Sequence, residues 1–208
     1  MILAIETATE ICSTALVREG NVLAHRSVHE RNIHSERLLT LIDEVITESA
    51  AARSALTAVA VSFGPGSFTG LRIGLSAAKG LAMALDVPII AVPTLDGIAE
   101  AHRLALHPVD GACFCAMIDA KREESYFAFY SYSSDDFVRD SAYSITLRSS
   151  IVLDAASMNA VTVQPELSAA AVGLLASRRR SEYLLPDHAT AEPLYLRDFV
   201  ATLPKNKA

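Results

Sequence analysis

Met1-Ile2-Leu3-Ala4-Ile5-Glu6-Thr7-Ala8-Thr9 is an apolar run that stops at an acid and a polar turn, and Ala112-Cys113-Phe114-Cys115-Ala116-Met117-Ile118-Asp119-Ala120 repeats that pattern in the second half of the chain. Short apolar runs bounded by turn signals read as strands. In the first half a second run follows at residues 12–17, and Gly20-Asn21 then supplies the positive φ of a tight hairpin before a returning strand at 22–27. In the second half a charged turn at 121–124 leads to a strand at 126–130. Glu6 and Asp119 therefore occupy equivalent places, and the chain reads as a duplication.

Between the two copies the period changes. Leu38, Leu39, Ile42, Val45 and Ile46 recur at helical spacing with charged residues between them, which predicts an amphipathic helix over 35–49. A buried strand at 58–63, a glycine-rich loop at 64–70, a helix at 71–85 and a strand at 87–92 follow. Thr94 is placed to cap a helix over 95–105, with Asp96 in its first turn. Alternating strand and helix signals indicate an α/β fold. Two lobes that each open with a strand, an acid and a hairpin suggest the two-lobe actin-like ATPase architecture, in which nucleotide lies between the lobes. The break near Pro108 sets the expected boundary, giving an N-terminal lobe of 1–105 and a C-terminal lobe of 106–208. Helix signals are sparse beyond it, with one candidate at 167–177, so the second lobe is expected to be reduced.

Composition narrows the function classes. The formal net charge of −6 gives no overall positive field to collect a polyanion. No apolar run reaches the roughly 18 residues of a membrane span, and no basic segment precedes an apolar stretch at the start; both lead to the expectation of a cytoplasmic protein. Cys12, Cys113 and Cys115 are too few and too unevenly placed for a disulfide framework and read as buried free thiols.

The most informative loop is Gly64-Pro65-Gly66-Ser67-Phe68-Thr69-Gly70. Its glycines permit a sharp turn into a helix whose N-terminus could meet an anion, so Gly64, Gly66 and Ser67 are candidates for phosphate contact, although the lysine of a P-loop is missing. Along the following helix Gly70, Gly74 and Ala78 form a small-residue stripe beside Ile73, Ala77 and Leu81. A helix apolar nearly all round must be covered on more than one side, by its own sheet and by a partner. The pair His25 and His29 has helical metal-site spacing but falls on or just after a strand, where four residues span roughly 13 Å, so no metal ligation is expected. No nucleophile and base stand in an assembled pattern. Glu6 and Asp119 could face each other across the cleft as a magnesium-holding pair, or Glu6 could close its own turn; the glycine-free Glu6-Thr7-Ala8-Thr9 favours the second. Arg178-Arg179-Arg180 reads as a solvated helix end, with RNA contact as the alternative.

Taken in order, Ile2 to Thr9, the Gly64 to Gly74 segment with Lys79-Gly80-Leu81-Ala82, Ile118-Asp119-Ala120-Lys121-Arg122 with Tyr126, and Leu194-Tyr195-Leu196-Arg197 resemble the TsaB family. The departure is Glu123, where the family pattern has glycine before Glu. The resemblance implies a non-catalytic paralogue of TsaD, the subunit that transfers threonylcarbamoyl to adenosine 37 of ANN-decoding transfer RNAs. It also implies absence of the His-x-x-x-His metal pair of TsaD, since only His102 stands on the corresponding helix. By the same resemblance the expected partners are TsaD, the ATPase TsaE, transfer RNA through the complex, and a second copy in a homodimer. No cofactor of its own is expected, and nucleotide only at an interface. The helices at 35–49 and 71–85 would make the contact, through Leu38, Ile42, Gly70, Ile73, Gly74, Ala77, Ala78 and Leu81. Gly74→Leu is expected to abolish pairing without unfolding the chain. The competing reading is a small actin-like ATPase or a peptidase of the glycoprotease-like family.

Overall fold

The computed structural model describes residues 1–30, 33–50, 52–187 and 189–197. The first lobe opens with β1 (Ile2–Glu6), β2 (Ile11–Arg18) and β3 (Asn21–His29), an antiparallel meander, and continues through α1 (His34–Glu48), β4 (Ala58–Ser62), α2 (Phe68–Leu85), β5 (Ile89–Val92) and α3 (Thr94–Leu106). Its sheet has the order β3-β2-β1-β4-β5, with β4 and β5 joining parallel to β1. The second lobe comprises β6 (Cys113–Lys121), β7 (Glu124–Ser133), β8 (Asp136–Arg139), β9 (Ser144–Leu147), α4 (Arg148–Ser157) and β10 (Val161–Val163). Its sheet runs β10-β6-β7-β8, with β9 pairing the far end of β7.

The duplication is visible as topology. A meander, a helix and a strand parallel to the first strand occur in both lobes, so that β3-β2-β1-β4 corresponds to β8-β7-β6-β10. Glu6 pairs opposite Ser13 and Asp119 opposite Ser125, at the same place in each hairpin. The second sheet stops at the three-residue β10, and among the described residues no strand corresponds to β5. α4 is the counterpart of α1 and was not expected from the sequence. Only Ile151 and Ala155 of its residues are buried, too few to mark a helical period.

β1, β4 and β5 of the first sheet are buried on both faces, as their near-continuous apolar runs require. Leu3, Ile5, Val59, Val61 and Ile89 face α1 and α2; Ala4, Ala60, Ile90 and Val92 face α3 and the later helix α5 (Ala169–Arg178). α3 ends at Leu106. Chain beyond the second sheet returns: α5 lies on β1 and β2 of the first lobe, and Leu184, just past α6 (Arg180–Tyr183), bridges to Ile90. The first lobe is thus built from two separated stretches of chain. α3 lies between the sheets, with Leu95, Ile98 and Ala99 in one core with Phe114, Ala116 and Tyr130.

Two polar clusters join the lobes inside that core. Asp96 is buried and accepts hydrogen bonds from Tyr130 (2.7 Å) and Tyr183 (2.8 Å), so it is an internal acceptor rather than an exposed first-turn acid. Burial, with Asp96 beside it, pushes the Tyr130 hydroxyl well above the usual phenol range. Glu100, fully buried, is held by Arg103 at 2.8 Å and Arg178 at 2.7 Å, a satisfied ion cluster of the kind that is costly to break from one side. Arg178 and Arg179 also reach Asp136 at 3.0 and 2.9 Å, and Arg180 donates to the Thr57 carbonyl at 2.9 Å. The arginine triplet is consequently engaged in ties within the chain, with Arg178 still about one-third exposed, in place of the purely solvated helix end that the sequence suggests. Thr94 differs from expectation as well: it is the first helical residue, and its Oγ1 accepts from the Gly64 amide at 3.0 Å instead of capping α3.

Candidate functional site

A broad concavity lies in the cleft between the lobes, with a volume of about 1280 Å³. One wall is the β1–β2 turn with the glycine loop ahead of α2; the other is the end of β6 and the turn into β7; residues 194–197 lie between them. Each wall is fixed by groups that the sequence pattern singled out.

Glu6 does not face the cleft. Its carboxylate is buried beneath the turn, where it accepts from the Thr9 amide (3.0 Å), the Thr9 hydroxyl (3.1 Å) and the Ser62 hydroxyl. Burial pushes its pKa up to about 7, although each of these donors pulls the other way; desolvation therefore outweighs the hydrogen bonds. Asp119 does line the cleft, but it is half-exposed and paired with Lys121 at 2.9 Å, which holds its pKa below the ordinary carboxylate value. The facing pair is therefore not formed, and of the two readings the one favoured from the glycine-free turn is the one observed. Glu6 closes its own turn, and Asp119 is tied to its own hairpin. Lys121, Arg122 and Glu123 have left-handed φ values of 65°, 55° and 64°, which shows why a glycine would suit this turn.

The glycine loop is shaped by its neighbours. The Ser67 amide donates to the Ala8 carbonyl at 2.8 Å, and the Ser67 hydroxyl accepts from the Gly70 amide at 3.2 Å, capping α2. Gly66 and Ser67 line the cleft, whereas Gly64 is buried against residue 194. A Cβ at Gly70 would lie 2.0 Å from the Thr7 carbonyl oxygen, and one at Gly74 would lie 2.2 Å from Thr7 Oγ1. Thr7 Oγ1 in turn donates to the Gly70 carbonyl at 2.8 Å. The small-residue stripe thus seats α2 against the turn after β1 and against β4.

This corrects part of the expected contact set. Gly70, Gly74 and Ala78 face their own sheet, and Leu38 and Ile42 of α1 are buried with them in the first lobe. Only Ile73, Ala77 and Leu81 are half-buried and partly presented outward. Substitution of Gly74 would disturb the fold before any partner, contrary to the expectation for Gly74→Leu. The outward residues that the stripe obscured are Met83, 72% exposed on α2, and Leu39, 64% exposed on α1. Lone exposed apolar residues carry little signal in sequence, and these two emerge only because α1 and α2 lie side by side.

The histidines are dispersed. His25 and His29 lie on β3, His34 Nε2 meets the Thr9 carbonyl at 3.2 Å, and His102 bonds Tyr132. Among the described residues no three His, Cys, Asp or Glu side chains converge as a metal site. Cys12 and Cys115 are buried thiols, raised by burial to about 11 and about 12.

The family model described as TsaD, tRNA N6-adenosine threonylcarbamoyltransferase, matches residues 22–147. The tRNA threonylcarbamoyladenosine biosynthesis protein TsaB of Escherichia coli strain K12 is 41% identical over 129 residues, covering 62% of this chain and 54% of that protein. The protein of the same name from Bacillus subtilis strain 168 is 35% identical over 133 residues, 64% of this chain and 56% of its own. The chain thus spans about half the length of the curated relatives it matches. Among solved structures, YeaZ from Pseudomonas aeruginosa superposes with a TM-score of 0.78 at 25% identity, covering 94% of this chain and 99% of that one. A second chain from that organism, described as similar to peptidase YEAZ, gives 0.81 at 27% identity with the same coverage.

Proposed function

Because the chain belongs to the TsaD family, we propose that it serves tRNA threonylcarbamoyladenosine biosynthesis as a non-catalytic subunit that pairs with the catalytic TsaD paralogue and joins the ATPase TsaE. The names of the relatives support the pathway. The observation that carries the non-catalytic role is Glu6: the acid at the end of β1 lies under the cleft wall with its oxygens occupied by Ser62 and Thr9, away from Asp119. An acid so placed builds the turn and does not reach a ligand in the cleft. Pairing is assigned to the outward sides of α1 and α2, which carry the half-buried Ile73, Ala77 and Leu81 and the exposed Leu39 and Met83. In the absence of the paralogue the same side serves a homodimer. Nucleotide contact by Gly66 and Ser67 requires a partner to complete the site, and transfer RNA is met through the complex.

Two measurements test this reading. Deleting the gene should remove threonylcarbamoyladenosine from the transfer-RNA nucleosides. Leu39→Glu and Met83→Asp should abolish co-purification with the paralogue while changing stability by no more than about 0.5 kcal/mol, as expected for exposed positions. Undiminished pairing would refute the assigned face. ATP turnover or peptide cleavage by the purified chain alone would favour an enzyme instead.

A further inference from the structure

Residues 194–197 cross from one lobe to the other, and each end is anchored differently. At the first lobe the Leu194 amide donates to the Phe63 carbonyl at 2.8 Å, directly beyond β4. Gly64 is moulded around this contact. Its φ is +115°, and a Cβ there would lie 2.4 Å from the Leu194 carbonyl oxygen. The Tyr195 ring then packs on Phe68 in the first turn of α2, with centroids 5.1 Å apart. At the second lobe the only anchor among the described contacts is the ion pair of Arg197 with Glu124, at the start of β7, with both side chains about one-third exposed (31% and 29%).

On the facing wall, Lys121 Nζ lies 3.8 Å from Glu10 of the first lobe and 2.9 Å from Asp119. That contact is at the limit of an ion pair, and Lys121 is 72% exposed. Among the described residues, the cleft is therefore spanned by this chain segment and by a weak surface pair. The other described ties between the lobes centre on Asp96 and Glu100 beside α3, with Arg178, Arg179 and Asp136 at their partly exposed edge.

We infer that residues 194–197 are a clasp that sets the separation of the cleft walls, with the Arg197–Glu124 pair as its releasable end. The division of labour follows from the anchors. The Leu194 end is backbone fitted to backbone and is insensitive to salt. The Arg197 end is a partly exposed ion pair, which salt screens and a competing anion or cation can displace. Release leaves the strap attached to the first lobe and frees the β6–β7 turn to move away from the glycine loop. This inference concerns the mechanics of the chain itself and stands apart from the proposed role in RNA modification.

The test is amide hydrogen exchange followed by NMR on the full chain, comparing the parent, Arg197→Ala, Glu124→Arg and the reversed pair Arg197→Glu with Glu124→Arg. Two amides report on the walls: Ser67, bonded to Ala8 on one side, and Lys121, bonded to Asp119 on the other. Both single variants should accelerate exchange at Leu194 and at both wall amides by roughly fivefold, the size expected for loss of one such pair. The reversed pair should return the rates to within about twofold of the parent. Acceleration confined to residues 194–197, or rates unchanged everywhere, would overturn the inference. Should Arg197→Ala fail to fold, the contrast between Glu124→Arg and the reversed pair decides it alone, since a clasp requires rescue and a local defect does not.

Discussion

Replacing Glu6 by Gln should make the protein less sensitive to alkaline pH, and the size of the change follows from where the carboxylate sits. Its pKa is about 7 in the fold, against 4.5 for an unperturbed glutamate. A group whose folded pKa is raised binds its proton more tightly in the native state, so its contribution to stability is complete below about pH 4.5 and is lost as pH rises through 7. At ~1.4 kcal/mol per pKa unit, the loss between pH 5 and pH 9 is on the order of 2 to 3 kcal/mol. Gln is nearly isosteric with the protonated acid and keeps an acceptor for Thr9, but it cannot ionise. Urea unfolding of both proteins at pH 5, 6, 7, 8 and 9 gives the difference directly, because every other titrating group is common to the two. The curves should diverge through neutrality, with the Gln variant gaining on the parent by that amount. Parallel curves would mean that Glu6 is solvated in the folded protein, and with that the argument that it lies beneath the cleft wall fails.

Two further outcomes follow from the packing. Gly74→Ala places a methyl 2.2 Å from Thr7 Oγ1, so it should destabilise the chain by about 1 to 3 kcal/mol in urea unfolding; adding Thr7→Ala should cost less than the sum of the two single changes, and strict additivity would refute the contact. Glu100→Gln leaves Arg103 and Arg178 without their shared buried carboxylate and should cost about 3 to 5 kcal/mol, against about 1 kcal/mol or less for Arg53→Ala at the exposed pair with Asp43; equal losses would show that Glu100 is not buried as described.

The parts of this fold that could be read from sequence are those whose cause is local. β1, the hairpin at Gly20-Asn21 and α1 declare themselves through runs and periods that a short window contains. The repeat of strand, acid and hairpin gave the second sheet its start at β6 and β7. What failed were judgements that depend on distant partners. The arginine triplet read as a solvated end because its carboxylates lie 78 residues away at Glu100 and 42 at Asp136. The glycine stripe announced close approach but not to what, since Thr7 bonds across 63 residues to Gly70. β8, β9 and β10 have only three or four residues each, too short for alternation to register. At the site, Asp119 lies in the cleft and Glu6 closes its own turn through Thr9, both legible locally, while the added bond from Ser62, 56 residues away, had no local signal.

The return of α5 to the first sheet bears on how the chain matures during synthesis. Ala4, Ala15, Ala58 and Ala60 form a shallow surface that α3 alone cannot cover, and the helix that seats on it is encoded only at Ala169–Arg178, after the whole second sheet. A ribosome adding about 5 to 20 residues each second therefore exposes that surface for several seconds while the later strands emerge. The small side chains there limit the greasy area shown to other nascent proteins in that interval, so the composition that lets α5 lie close in the finished molecule also limits sticking in the unfinished one.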